Sequence, residues 1–216
     1  MASLAIDRKT ICEKILNGTA EPYGEVLAPI TKGYDASVKP DPYDPEKARK
    51  LLSEAGYPKG FSTTISTTIA SKFYAEALAA NLSEVGINTK VVIYESGAWQ
   101  QALMGKKLRG LLISGGWHHA EMHASADMSD HWLSYMPWCY HSTKEIDAAI
   151  HKGNYAIEED DMITAGRNIS KTIRDAQIKI ILWAQHSPFG VGPKIKFWKP
   201  VTGAQPASAF EYIQVN

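Results

Sequence analysis

The fold class is decided by the stretch FSTTISTTIASKFYAEALAANLSEVGINTKVVIY, residues 61–94. Its first part, Phe61–Ile69, is rich in Thr and Ile, which favours a β-strand. Ser71–Val85 repeats apolar residues at helical spacing and is followed by Gly86, so we predict a helix that ends there. Ile87–Tyr94 predicts a second strand. Two strands joined by one helix are expected to pair in parallel through a right-handed crossover.

The alternation of strand and helix continues downstream of this stretch. Gly97–Lys106 predicts a helix and Leu108–Ser114 a third strand, which gives a β-α-β-α-β order. We therefore expect an α/β fold in which a parallel-core sheet is flanked by helices. Further helices are predicted over Thr143–Lys152 and Glu158–Lys179. Three short strands are predicted in the last part of the chain, at Ile180–Ala184, Lys194–Trp198 and Phe210–Val215.

Upstream, two helices flank a long proline-containing segment. Leu4–Leu16 predicts a helix, and Asn17-Gly18 after it is typical of a left-handed stop. Thr19–Tyr43 is long for a loop in a compact domain, so we expect an ordered, extended arm. Asp44–Gly56 carries Asp at the N-cap and Pro at the first helical position, and predicts a well-capped amphipathic helix.

Composition excludes several classes of protein. The 216 residues carry 23 Lys and Arg against 23 Asp and Glu, so net charge gives no reason to expect a nucleic-acid partner. The longest apolar runs, such as Ile178–Ala184, fall far short of the roughly 20 residues that span a bilayer. The first residues lack the basic and apolar regions of a signal peptide. Cys12 and Cys139 form neither a disulfide framework nor a zinc pattern.

Two motifs carry a family resemblance. LAIDRKTI, residues 4–11, and YDPEKARKLLSEAGYPKGF, residues 43–61, resemble the extracytoplasmic solute-binding proteins of ABC importers, in the peptide/nickel-binding family (family 5). The resemblance is supported by LSEVGI at 82–87 and by Gly116-Trp117 at the end of a predicted strand. The similar segments follow the same order as in the family through most of residues 4–200. We expect the motif at 43–61 to pack as a helix and to carry no chemistry of its own.

This resemblance implies an architecture, a function and partners. It implies a C-terminal lobe of a type II periplasmic-binding-protein fold over residues 1–200, with residues 201–216 as a tail or strand near the hinge. The lobe would bind an oligopeptide or a related small solute, without catalysis and without a cofactor. Its partners would be the solute, the N-terminal lobe and the membrane permease of an ABC importer, with no nucleic acid. The parent protein would be periplasmic or on the outer cell surface.

The predicted ligand-binding residues follow the third strand. In parallel sheets, ligands lie beyond the carboxyl ends of the strands. There, two glycines would allow close backbone approach, and a Trp would offer a flat apolar face with one N–H donor. In many peptide-binding relatives an Asp three positions after this Trp pairs with the peptide amine, whereas here Ala120 holds that position. The predicted site residues are Gly115, Gly116, Trp117, His118, His119 and Glu121.

Alternative functions rest on the same region. Five histidines within 24 residues suit nickel, copper or zinc, although their spacing matches no established ligand motif: His118, His119, His123, His131 and His141. Four aromatic residues would suit peptide or sugar rings, or form a small hydrophobic core: Trp132, Tyr135, Trp138 and Tyr140. A metal-dependent hydrolase would have to use this region too, because the GxSxG, HExxH and GxxxxGK[ST] motifs are absent. A purely structural role, with self-association through exposed apolar surface, is the remaining alternative.

Overall fold

The structure is a computed structural model that describes residues 1–113, 123–186, 190–198 and 213–215. The strands are β1 (Ala20–Pro22), β2 (Phe61–Thr68), β3 (Ile87–Tyr94), β4 (Leu111–Leu112), β5 (Trp183–Gln185), β6 (Ile195–Trp198) and β7 (Ile213–Val215). The helices are α1 (Arg8–Thr10, continued by a π-helix at Ile11–Ile15), α2 (Pro45–Glu54), α3 (Lys72–Glu84), α4 (Ser96–Met104), α5 (Ala124–Trp132), α6 (Lys144–Gly153) and α7 (Glu159–Ala176). Short 3-10 turns lie at Ala2–Ala5 and Ile69–Ser71.

The central sheet is parallel, as the sequence predicts. Its strand order is β3-β2-β4, with Ile65 of the central strand opposite Val91 on one side and Leu111 on the other. The third strand is shorter than predicted. Gly110 turns the chain with φ +76, and a Cβ there would lie 2.4 Å from the carbonyl oxygen of Thr64. Regular pairing of β4 therefore begins only after this glycine.

The two crossovers place α3 and α4 on opposite faces of the sheet. Ile65, Val91 and Leu111 share one face and pack with the buried residues of α3. Leu112 is the next residue along β4, so it lies on the opposite face of the sheet, where it packs with Trp99 of α4. The first crossover runs from β2 to β3, and the second runs back from β3 past β2 to β4. Because both are right-handed and run in opposite directions across the sheet, their helices lie on opposite faces.

A second core is formed by α5, α6 and α7. Its fully buried side chains include Ile146 and Ile150 of α6 and Ile169 of α7. Helix α7 ends at Ala176, three residues before the predicted end, because Gln177 is left-handed with φ 51. The acidic first turn of α7 stabilises its N-terminus, as is usual for carboxylates near a helix start.

Arg8 joins the N-terminal segment to distant parts of the chain. Its guanidinium is buried, with 3% of the residue exposed. Nε donates to the carbonyl of Ile181 at 3.0 Å, and Nη1 donates to those of Ser3 at 3.0 Å and Asp41 at 3.3 Å. The LAIDR motif is therefore a structural clamp between α1, the arm and the segment after α7.

The remaining strands form two small antiparallel sheets. β1 pairs with β5, so that Pro22 lies opposite Trp183, and β6 pairs with β7. The predicted strand at 180–184 thus begins later and pairs with the arm. The predicted boundary between a lobe at 1–200 and a tail at 201–216 stays a prediction. Within the described ranges, no helix combines the length and the apolar character needed to span a membrane.

Candidate functional site

The carboxyl edge of the parallel sheet is the candidate ligand-binding edge. β2 ends at Thr68, paired with Tyr94 at the end of β3, and beside them Ile113 donates its N–H to the carbonyl of Ser66 at 3.3 Å. The segments that follow β2 and β3 lead to helices on opposite faces of the sheet. This topology predicts a crevice between the ends of these strands, which is where ligands bind in open α/β sheets.

Two large apolar side chains are exposed close to this edge in the sequence. Ile69 is 60% exposed and directly follows β2, and Phe73 in the first turn of α3 is 73% exposed. The next residue, Tyr74, turns inward instead and meets Trp183 edge to face, with ring centroids 5.3 Å apart. Helical periodicity marks the buried side of α3 and so misses Phe73. The sequence signal that could have found Phe73 is a large apolar residue that lies outside the apolar stripe of α3 and just after the end of a strand.

The predicted site residues Gly115, Gly116, Trp117, His118, His119 and Glu121 lie outside the described residues. The described chain leaves the carboxyl edge at Ile113 and resumes at His123. The assignment of these residues to the ligand site remains a prediction.

His123 has a structural role at the start of α5. Its Nδ1 accepts the backbone N–H of Ser125 at 3.3 Å, and the Ser125 hydroxyl lies 2.8 Å from the same nitrogen. Burial lowers the pKa of His123, the backbone of Ala156 raises it, and Lys32 lowers it further, with a net downward shift. A neutral ring acts as the helix cap, since a capping nitrogen must keep its lone pair.

The other predicted metal ligands are dispersed where the structure describes them. The rings of His131 and Trp138 lie tilted to each other with centroids 6.4 Å apart, and His141 is exposed. No group of three or more His, Cys, Asp or Glu is arranged to hold a metal ion among residues 1–113, 123–186, 190–198 and 213–215. His118 and His119 lie outside these ranges.

The four aromatic residues predicted as a cluster separate into different environments. Trp132 is buried in the helical core. The hydroxyl of Tyr140 contacts the carbonyls of Ala102 and Leu103, each at 3.1 Å, and so ties this segment to α4. Tyr135 and Trp138 are 64% and 36% exposed. The prediction of a small core therefore holds for Trp132 and in part for Tyr140, while Tyr135 and Trp138 lie at the surface.

Comparison with known sequences decides the family. Residues 2–144 match the family model described as "Bacterial extracellular solute-binding proteins, family 5 Middle". The chain belongs to this family. The match spans both motifs from which the resemblance was inferred, together with the whole parallel sheet.

Curated relatives of the chain bind different solutes. The glutathione-binding protein GsiB of Shigella dysenteriae is 32% identical over 181 residues, which are 76% of this chain and 35% of that protein. Heme-binding protein A of Haemophilus influenzae is 38% identical over 98 residues, 42% of this chain and 18% of that protein. The chain thus spans about a third or less of the length of these relatives.

Solved structures confirm the fold. The oligopeptide-binding protein AppA from Bacillus subtilis, in complex with a nonapeptide, superposes with a TM-score of 0.80 at 17% identity, covering 100% of this chain and 46% of that one. The periplasmic binding protein DppA from Helicobacter pylori, in complex with the peptide STSA, gives 0.75 at 22% identity, covering 99% and 43%. The chain therefore has the α/β fold of one lobe of a type II periplasmic binding protein, as the sequence predicts.

Proposed function

We propose that this chain is a ligand-binding lobe of an ABC-importer receptor for peptides or a related small solute. The observation that supports this most strongly is a parallel sheet whose strand order changes direction at β2, in a chain that belongs to a solute-binding family. The relatives named for their ligands, glutathione and heme among them, support a role in binding a small solute.

The mechanism that fits is closure of two lobes around the solute. A solute that contacts both lobes binds the closed state more tightly than the open state, and so shifts the equilibrium toward closure. The closed form would then dock on the membrane permease, in the periplasm or at the outer cell surface. No bond of the solute is broken in this cycle, so the lobe acts by binding alone.

Each predicted residue has a distinct part in this proposal. Trp117 would stack on an apolar part of the solute, and Gly115 with Gly116 would let the backbone approach it. His118, His119 and Glu121 would supply polar contacts. Ile69 and Phe73 extend the apolar wall, because both are exposed at the same edge.

Replacing Trp117 with Ala in the two-lobed protein is expected to weaken solute binding about tenfold or more, because a stacking surface is lost. Isothermal titration calorimetry with glutathione and with short peptides measures this directly. The peptide that binds the unaltered protein best serves as the probe. Affinity unchanged by the substitution would remove Trp117 from the site.

Phe73→Ala and Phe61→Ala form a matched pair at opposite ends of β2. Phe73 lies at the carboxyl edge, whereas Phe61 is 37% exposed at the amino edge and contacts Tyr57 with centroids 5.1 Å apart. We expect Phe73→Ala to weaken binding several-fold and Phe61→Ala to leave it unchanged, in the same titrations. Equal effects of the two changes would contradict a site at the carboxyl edge.

A further inference from the structure

A cavity of about 390 Å³ lies between the arm and the end of α7, and neither Ile69 nor Phe73 is among its lining residues. Its volume falls within the usual range of small-molecule sites. The charged and aromatic residues that line it are Lys39, Asp41, Trp132, Arg174, Asp175 and Lys179.

Three cationic side chains from separate segments converge on this cavity. Among the described contacts of the Arg174 side chain, only Nε is engaged, by a 3.3 Å hydrogen bond to the Ser170 hydroxyl. Lys39 from the arm donates to the carbonyl of Ala36 at 3.2 Å. Neither hydrogen bond neutralises charge, although the guanidinium of Arg174 also interacts electrostatically with the carboxylate of Asp35.

The ammonium of Lys179 is fixed at the cavity wall. It donates to the carbonyl of His131 at 2.9 Å and lies 3.5 Å from the centroid of the Trp132 ring. Although the residue as a whole is exposed, the surroundings of its tip remove water and lower the pKa of Lys179 to about 8. A bound anion would favour the charged form that desolvation disfavours.

The two carboxylates at the cavity are already engaged elsewhere. Asp175 forms an ion pair with Lys171, one turn before it on α7. Asp41 accepts a hydrogen bond from the hydroxyl of Ser3, and its carbonyl accepts from Arg8. The lining of this cavity holds three cations and two carboxylates, and Arg174 also borders a second cavity that is lined by Glu25 and Asp35.

We propose that this cavity is a second binding site, for a small oxyanion that carries more than one negative charge. Arg174 would hold it through paired N–H donors, with Lys39 and Lys179 on either side, since guanidinium groups suit planar or tetrahedral oxyanions. The bound anion would connect the arm, α7 and the segment after α7. This site is distinct from the solute crevice and does not depend on the proposed transport function.

Thermal unfolding of the chain at constant ionic strength tests the proposal. With about 10 mM citrate or inorganic phosphate in place of sodium chloride, we expect the melting temperature to rise by about 3 °C. Arg174→Gln and Lys179→Gln should each abolish the rise. Lys39→Gln should reduce the rise in melting temperature. Because Lys39 is exposed, this variant tests the site even if one of the other two variants fails to fold.

Lys90→Gln is the matched control, because it removes one positive charge from an exposed position on β3 outside the cavity lining. It should retain the full shift, as should Trp117→Ala, which is aimed at the solute site. If the unaltered chain shows no rise in melting temperature, the proposal is wrong. If Arg174→Gln and Lys90→Gln show equal rises, the proposal is also wrong, and the rise is a general effect of ionic composition.

Discussion

Arg8→Met is expected to lower the free energy of unfolding by about 3–5 kcal/mol, since it removes a buried charged donor from three backbone carbonyls, that of Ser3 being itself buried. The guanidinium serves the carbonyls of Ser3, Asp41 and Ile181, which lie far apart in the sequence. Met keeps most of the apolar stem, so the loss reports on the hydrogen bonds. Urea-induced unfolding, followed by far-UV circular dichroism, measures the change.

Arg49→Met provides the control for this experiment. Arg49 is exposed and its Nε donates to one carbonyl, that of Glu84, at 3.2 Å. The same chemical change there should cost less than about 1 kcal/mol. If both substitutions cost the same, the clamp assigned to Arg8 contributes little to stability.

The sequence predicted the centre of the fold well because local and tertiary preferences agree there. β3 has the predicted bounds, β2 ends one residue earlier than predicted, and α3 is one residue shorter at each end. Alternation of strands and helices implies parallel pairing, so the topology class followed as well. The order β3-β2-β4 did not follow, because it depends on which edge of β2 each crossover reaches.

Where the prediction missed, a single backbone conformation or a long-range contact was responsible. The left-handed Gln177 ends α7 although the polar and apolar pattern continues. β5 pairs with β1, across more than 160 residues of sequence, and periodicity carries no information about such a partner. For the candidate ligand edge, the residues predicted from the strand end stay a prediction, and exposed Phe73 gave no periodic signal.

A backbone contact between Gly60 and Gly86 joins the motifs at 43–61 and 82–87. Gly60 has φ +73, and the N–H of Phe61 donates to the carbonyl of Gly86 at 3.1 Å. This contact sets the amino ends of β2 and β3 side by side. Because their eight-residue pairing is continuous, it also fixes how Thr68 and Tyr94 align at the ligand edge.

Gly60→Ala is therefore expected to destabilise the lobe by about 3 kcal/mol or more, through left-handed strain and a backbone clash. A Cβ on Gly60 would lie 1.9 Å from the carbonyl oxygen of Gly86, so the two strands would have to separate. Denaturant unfolding with hydrogen exchange of β2 and β3 amides would show both the loss of stability and its location.

Gly56→Ala separates the two causes. Gly56 has φ +90, so Ala there meets the same left-handed strain, but its Cβ would have no atom within 4 Å. We expect a loss of about 1–2 kcal/mol from strain alone. The difference between the two variants measures the backbone contact. If Gly60→Ala cost no more than Gly56→Ala, the register at the carboxyl edge would have to be set by side-chain packing between α3 and the sheet instead.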